Sequence, residues 1–146
     1  MIRVLLVDDQ QLVRTGFRLV LSTAPDIEVV GEAANGNEAL ELLESGLEVD
    51  VCCMDIRMPH MNGLEATRAI TAAGYPTHVI ALTTFDLDEY AYEALAAGAS
   101  GFMLKDCGAA DLISGIRTVA TGNAMLAPST TARAVSYTHL TLPTKA

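Results

Sequence analysis

The chain has 146 residues, 51% of them apolar and 18% charged, which is enough to bury a core and too apolar for general disorder. Its 18 acids against 9 bases leave a formal charge of −9, which argues against a nucleic-acid-binding face or an anionic-membrane patch in this segment. No apolar run approaches the roughly 18 residues of a membrane helix. The run after Arg3 is also shorter than the roughly 7–15 apolar residues of a signal peptide, so a cytoplasmic location is expected.

Ile2–Val7 predicts a first strand, and Val13, Phe17, Val20 and Leu21 then recur at helical spacing. Ile27–Val30 predicts a second strand. Asn35 followed by Glu38 marks a helix start, with Leu40, Leu43 and Leu47 as its apolar stripe. Val51–Met54 is the third strand, and Asn62 with Glu65 opens the next helix. Val79–Leu82 is the fourth, followed by an Asp86–Glu89 start. Gly101–Leu104 is the fifth, and Leu112, Ile113, Ile116 and Val119 form the last stripe. Gly46, Gly74, Gly98 and Gly122 stand where helices should stop.

Runs that are apolar at every position suit strands buried on both faces, as in parallel sheets. Right-handed crossovers then put helices on both sides. The expected fold is α/β: five βα units forming a doubly wound, five-stranded parallel sheet in flavodoxin-like order. Three cysteines are too few for a disulfide framework. Cys52 and Cys53 are adjacent on a strand, so they face opposite sides as small buried hydrophobes. Together with His60 and His78 they lack zinc-ligand spacing.

Ligands of open parallel sheets bind beyond the carboxyl ends of the strands. Strand one ends in Asp8-Asp9, strand three in Asp55, strand four in Thr83-Thr84 and strand five in Lys105. Two carboxylates about 5 Å apart repel by roughly 3 kcal/mol at an effective dielectric of 20. One lysine cannot offset three acids, whereas a hard divalent cation such as Mg²⁺ can. Such a pocket can stabilise a phosphoryl group in transfer, with a carboxylate as nucleophile.

These residues carry a resemblance. The end of strand one at Asp8-Asp9, the segment Met54-Asp55-Ile56-Arg57-Met58-Pro59-His60-Met61-Asn62-Gly63, Leu82-Thr83-Thr84, and Gly98 through Asp106 together resemble the response-regulator receiver domain, CheY-like, of bacterial two-component signalling. The Gly-Ala-Ser-Gly-Phe run and Lys105-Asp106 are most similar to the NarL/FixJ (LuxR-type) branch.

The resemblance implies that Asp55 accepts a phosphoryl group from a sensor histidine kinase. It implies that Asp8, Asp9, Asp55 and the backbone carbonyl of Arg57 hold Mg²⁺, Asp8 mainly through water. Thr83 and the N–H of Thr84 bond phosphoryl oxygens, Lys105 pairs with Asp55 or its phosphoryl group, and Thr83 with Phe102 forms the switch. Arg57 and Phe85 flank the site and are expected to govern water access. Two departures stand out. Phe102 replaces the usual tyrosine and lacks its hydroxyl. Asp106 replaces a common proline, so no cis bond is expected after Lys105.

The expected organisation is a receiver over 1–122, the start of a linker over 123–134, and a tail over 135–146 that resembles translated sequencing-library adaptor. Branch members usually carry a helix-turn-helix domain, so the expectation is a transcription regulator truncated before it. DNA would then be met only through that missing domain, with a homodimer forming on phosphorylation. On this reading the protein is no turnover enzyme and catalyses only its own phosphorylation and dephosphorylation. The alternatives are a stand-alone receiver acting through protein contacts, or a phosphatase with an aspartyl nucleophile. The latter fits poorly, because Asp-x-Asp is absent from strand one. A dinucleotide site lacks its Gly-x-Gly-x-x-Gly.

Overall fold

The computed structural model describes residues 1–56, 62–83, 88–122 and 125–126, with backbone only at 88–91 and 125–126. In chain order the elements are β1 (Ile2–Val7), α1 (Gln11–Leu21), β2 (Ile27–Ala33), α2 (Gly36–Glu44), β3 (Val51–Asp55) and α3 (Gly63–Ala73). They continue as β4 (His78–Thr83), α4 (Asp88–Ala96), β5 (Gly101–Leu104), α5 (Ala109–Ala120) and β6 (Met125–Leu126).

The strands form one parallel sheet in the order β2-β1-β3-β4-β5-β6. The five predicted strands and their flavodoxin-like order are therefore present. The two-residue β6 is an addition, lying where the sequence suggests a linker. It pairs with Gly101 and Phe102 and gives the otherwise open side of β5 hydrogen-bonding partners.

Alternation along the strands splits the core into two layers. Val4, Leu6, Val51, Cys53, Ile80 and Leu82 face α1 and α5, where they pack with Leu21, Leu112, Ile116 and Val119. Leu5, Val7, Cys52 and Met54 face the other way, against Ala39 and Leu43 of α2 and Ala66 and Ile70 of α3. A smaller cluster joins Ile56, Ala81, Ala94, Ala99 and Phe102 beside α4. Cys52 and Cys53 thus lie in opposite layers, as strand geometry requires.

Asn35 Oδ1 accepts from Glu38 N at 3.0 Å and Asn62 Oδ1 from Glu65 N at 2.9 Å, so both predicted caps form. The Asp86–Glu89 start begins outside the described residues. The four terminating glycines all take positive φ, from 76° to 109°. Strand β2 runs three residues past its predicted end, pairing as far as Val7↔Ala33, and it contains a bulge. Its register with β1 passes from Val4↔Val29 to Leu5↔Gly31, leaving Val30 extra.

Candidate functional site

The sheet delivers four predicted side chains to one crevice at its carboxyl edge. Asp8 follows β1 directly, its N–H donating to Ala33 O at 3.0 Å. It is buried, while Asp9 beside it is exposed. Asp8 Oδ1 accepts from Gln10 N at 2.9 Å, a local turn that starts α1, whose own N-cap Gln10 makes no side-chain cap. Asp8 therefore serves the first helix and the crevice together.

Asp55 is the last residue of β3 and is only 3% exposed. The chain behind it is closed tightly, with Gly63 N donating to Ile56 O at 2.8 Å. A Cβ at position 63 would stand 2.1 Å from the Asp55 carbonyl oxygen and 2.7 Å from Ile56 Cα. Only glycine lets α3 begin so close beneath the acid. Thr83 ends β4, is equally buried, and accepts at its carbonyl from Lys105 N at 2.7 Å. That bond places the Lys105 side chain over the crevice.

The Lys105 ammonium donates to Asp55 Oδ2 at 3.0 Å and lies 2.8 Å from Asp8 Oδ2. Burial pulls its pKa down, but the adjacent Asp8 and Asp55 carboxylates outweigh this and raise it, so it is cationic at neutral pH. The contact to Asp8 is an ion pair by distance only, because no donor is aimed at Asp8 Oδ2 with hydrogen-bond geometry. Oxygens of Asp8, Asp9 and Asp55 all lie within 4.8 Å of one another. These three acids and one ammonium leave an excess of two negative charges, together with a buried oxygen that lacks a directed partner. That donor set fits a hard divalent cation, which takes carboxylate oxygens readily and keeps further positions for water or phosphate.

Arg57, Thr84 and Phe85 lie outside the described residues. The Phe102 ring is fully buried among Ile56, Ala81, Ala94 and Ala99. With no hydroxyl to hold at the surface and small alanines around it, the ring rests inside. Arg14 and Glu32 are site neighbours that the sequence reading missed. Arg14 Nη1 donates to the carbonyl of Asp8, and its Nε donates to Glu32 Oε1 at 3.0 Å. Gly31 inside a strand was the available cue to the bulge that brings Glu32 there.

The chain matches the response regulator receiver domain profile over residues 4–117. It belongs to the response regulator receiver domain family. It is 43% identical over 137 residues to the uncharacterized transcriptional regulatory protein YxjL of Bacillus subtilis, covering 94% of this chain and 62% of that protein. It is 38% identical to the nitrate/nitrite response regulator protein NarL of Escherichia coli, covering 88% of this chain and 59% of NarL. Among solved structures, the signal receiver domain of NarL from Mycobacterium tuberculosis superposes with a TM-score of 0.80 at 36% identity, covering 84% of this chain and 98% of that one. A LuxR-family two-component response regulator from Aurantimonas gives 0.86 at 31% identity, covering 92% and 96%.

The relatives of this receiver are thus NarL/LuxR-type response regulators, and the chain spans about three-fifths of the length of the curated ones. Receiver domains bind Mg²⁺ at an acidic pocket and are phosphorylated by sensor kinases. No described helix is long and apolar enough to cross a membrane.

Proposed function

We propose that this receiver accepts a phosphoryl group on Asp55 from a phosphohistidine of a sensor histidine kinase, with Mg²⁺ held by Asp8, Asp9, Asp55 and the Arg57 carbonyl. The observation that carries the reading is the convergence of three carboxylates and one lysine, with Lys105 3.0 Å from Asp55. A carboxylate oxygen of Asp55 attacks phosphorus in line, the P–N bond breaks, and its electron pair leaves with the imidazole nitrogen. Bound Mg²⁺ supplies positive charge against the equatorial phosphoryl oxygens. The Lys105 ammonium offsets the same charge, while the Thr83 hydroxyl and the Thr84 N–H donate to phosphoryl oxygens. Water later attacks phosphorus, releasing phosphate and restoring the Asp55 carboxylate. Arg57 and Phe85 govern the access of that water.

Phosphorylation adds about −1.5 to −2 charges. Moving a two-state equilibrium from 1:99 to 99:1 takes about 5.5 kcal/mol, which a few charge-assisted bonds of about 1.5–3 kcal/mol each can supply. Thr83 is drawn toward the new group, and the neighbouring Phe102 cluster beside α4 repacks to pass the change to the surface. Similarity to proteins named as transcriptional regulators supports residues 1–122 as the receiver of a transcription regulator, with DNA contacted through a separate domain and a dimer formed on phosphorylation. The proposed location is the cytoplasm.

The test is intact mass after incubation with Mg²⁺ and acetyl phosphate. One added phosphoryl group is expected in the wild type, and none after Asp55→Ala or in EDTA. No addition in the wild type, or addition that survives Asp55→Ala, overturns the reading.

A further inference from the structure

The extra residue in β2 decides where Glu32 points. Ahead of it, Val29 lies opposite Val4, on the face that packs against α1 and α5. Beyond it, Glu32 lies opposite Leu6 on that same face, whereas Gly31 and Ala33 lie opposite Leu5 and Val7 on the other. An unbroken register would set Glu32 opposite Val7, inside the apolar layer against α2 and α3. A bulge reverses the alternation and so turns this acid toward α1.

There Glu32 meets two arginines one helical turn apart. Its Oε1 accepts from Arg14 Nε at 3.0 Å and its Oε2 from Arg18 Nε at 2.8 Å. The two arginines differ in what else they reach. Arg18 is about half exposed, while the Arg14 side chain is only 15% exposed and its Nη1 donates to the carbonyl of Asp8. That carbonyl belongs to the peptide joining Asp8 to Asp9. A guanidinium has five donors in a rigid plane, so fixing one edge on Glu32 fixes the direction of the others.

We propose that Arg14, oriented by Glu32, is a positioning residue of the acidic pocket: it holds the Asp8–Asp9 peptide so that both carboxylates converge on Asp55. This inference rests on the phosphoacceptor reading above. Partners that orient metal ligands typically contribute about 10–100-fold in metal affinity.

The test measures Mg²⁺ binding to the unphosphorylated protein by calorimetry, without a phosphodonor. Arg14→Gln is expected to weaken Mg²⁺ binding about tenfold. Arg18→Gln, which removes the other partner of Glu32 but not the bond to Asp8, is expected to leave it at the wild-type value. Arg14→Lys should fall between, since one ammonium cannot span both the Asp8 carbonyl and Glu32. If R14Q does not fold, R14K carries the comparison. Wild-type affinity in both Arg14 variants, or an equal loss in R18Q, overturns the inference alone. A wild type that binds no Mg²⁺ overturns the functional reading together with it.

Discussion

The Lys105 ammonium sits 3.0 Å from Oδ2 of Asp55, on a strand tip fifty positions earlier in the chain. It is shared with Asp8, which leaves Asp9 without an ion pair among the described residues. The pocket is therefore destabilising when metal-free, and Asp9→Asn relieves it without breaking a described ion pair. The roughly 3 kcal/mol of repulsion at 5 Å is reduced by the exposure of Asp9 to about 1 kcal/mol. The expected result is a Tm a few degrees higher in EDTA, a gain that disappears when Mg²⁺ is added to both proteins. A lower Tm for the variant in EDTA would contradict the electrostatic account.

A Cβ at Gly63 would run into the backbone of Asp55 and Ile56, which cannot move aside cheaply. Gly63→Ala should lose about 2–4 kcal/mol in urea unfolding, with phosphoryl uptake falling alongside. Gly16, in the middle of α1 with nothing within 4 Å, is the control. Gly16→Ala should be stabilising by about 0.5–1 kcal/mol.

The three thiols should react unequally. Burial pushes Cys53 up to about 12 and Cys52 higher still, and both are closed to solvent. Cys107 is half-buried; burial first, then Asp111 and Asp106, raise its pKa more modestly. A disulfide reagent at mildly alkaline pH should therefore label Cys107 alone, and slowly, in the folded protein, and all three cysteines in urea. Rapid labelling of two or three in the folded state would contradict the burial.

Glu32 titrates below the ordinary 4.5, held down first by the hydrogen bond from Arg18 and then by that from Arg14, against burial. Because the folded value is depressed, its stabilising contribution is complete above the unfolded pKa near 4.5. It is lost as the pH falls through the folded value. The arginines are partly exposed, so the contribution is about 1 kcal/mol or less. Denaturation of Glu32→Gln should show a shallower acid limb than the wild type, the two curves converging at low pH. Parallel curves would show that Glu32 carries no such linkage.

Most of the architecture is legible locally. Five apolar runs, the Asn35 and Asn62 caps and the four glycines mark elements through interactions spanning a few residues. The residue types at the strand ends are equally legible, because parallel topology sends every strand tip to one edge. What escapes depends on register and on distance in the chain. Arg14 and Glu32 lie eighteen positions apart and meet only because Val30 shifts the phase of β2. The inward rest position of Phe102 depends on the alanines contributed by β4, by α4 and by the turn before β5, which no local pattern ties to it. The short β6 forms only because β5 offers it an edge.

The two helices that flank β5 grip the sheet very differently. Helix α5 is fastened by Leu112, Ile116 and Val119, whereas the buried side chain described within α4 is Ala94. At about 0.8 kcal/mol per buried methylene, those three side chains hold α5 to the sheet far more firmly than Ala94 holds the described part of α4.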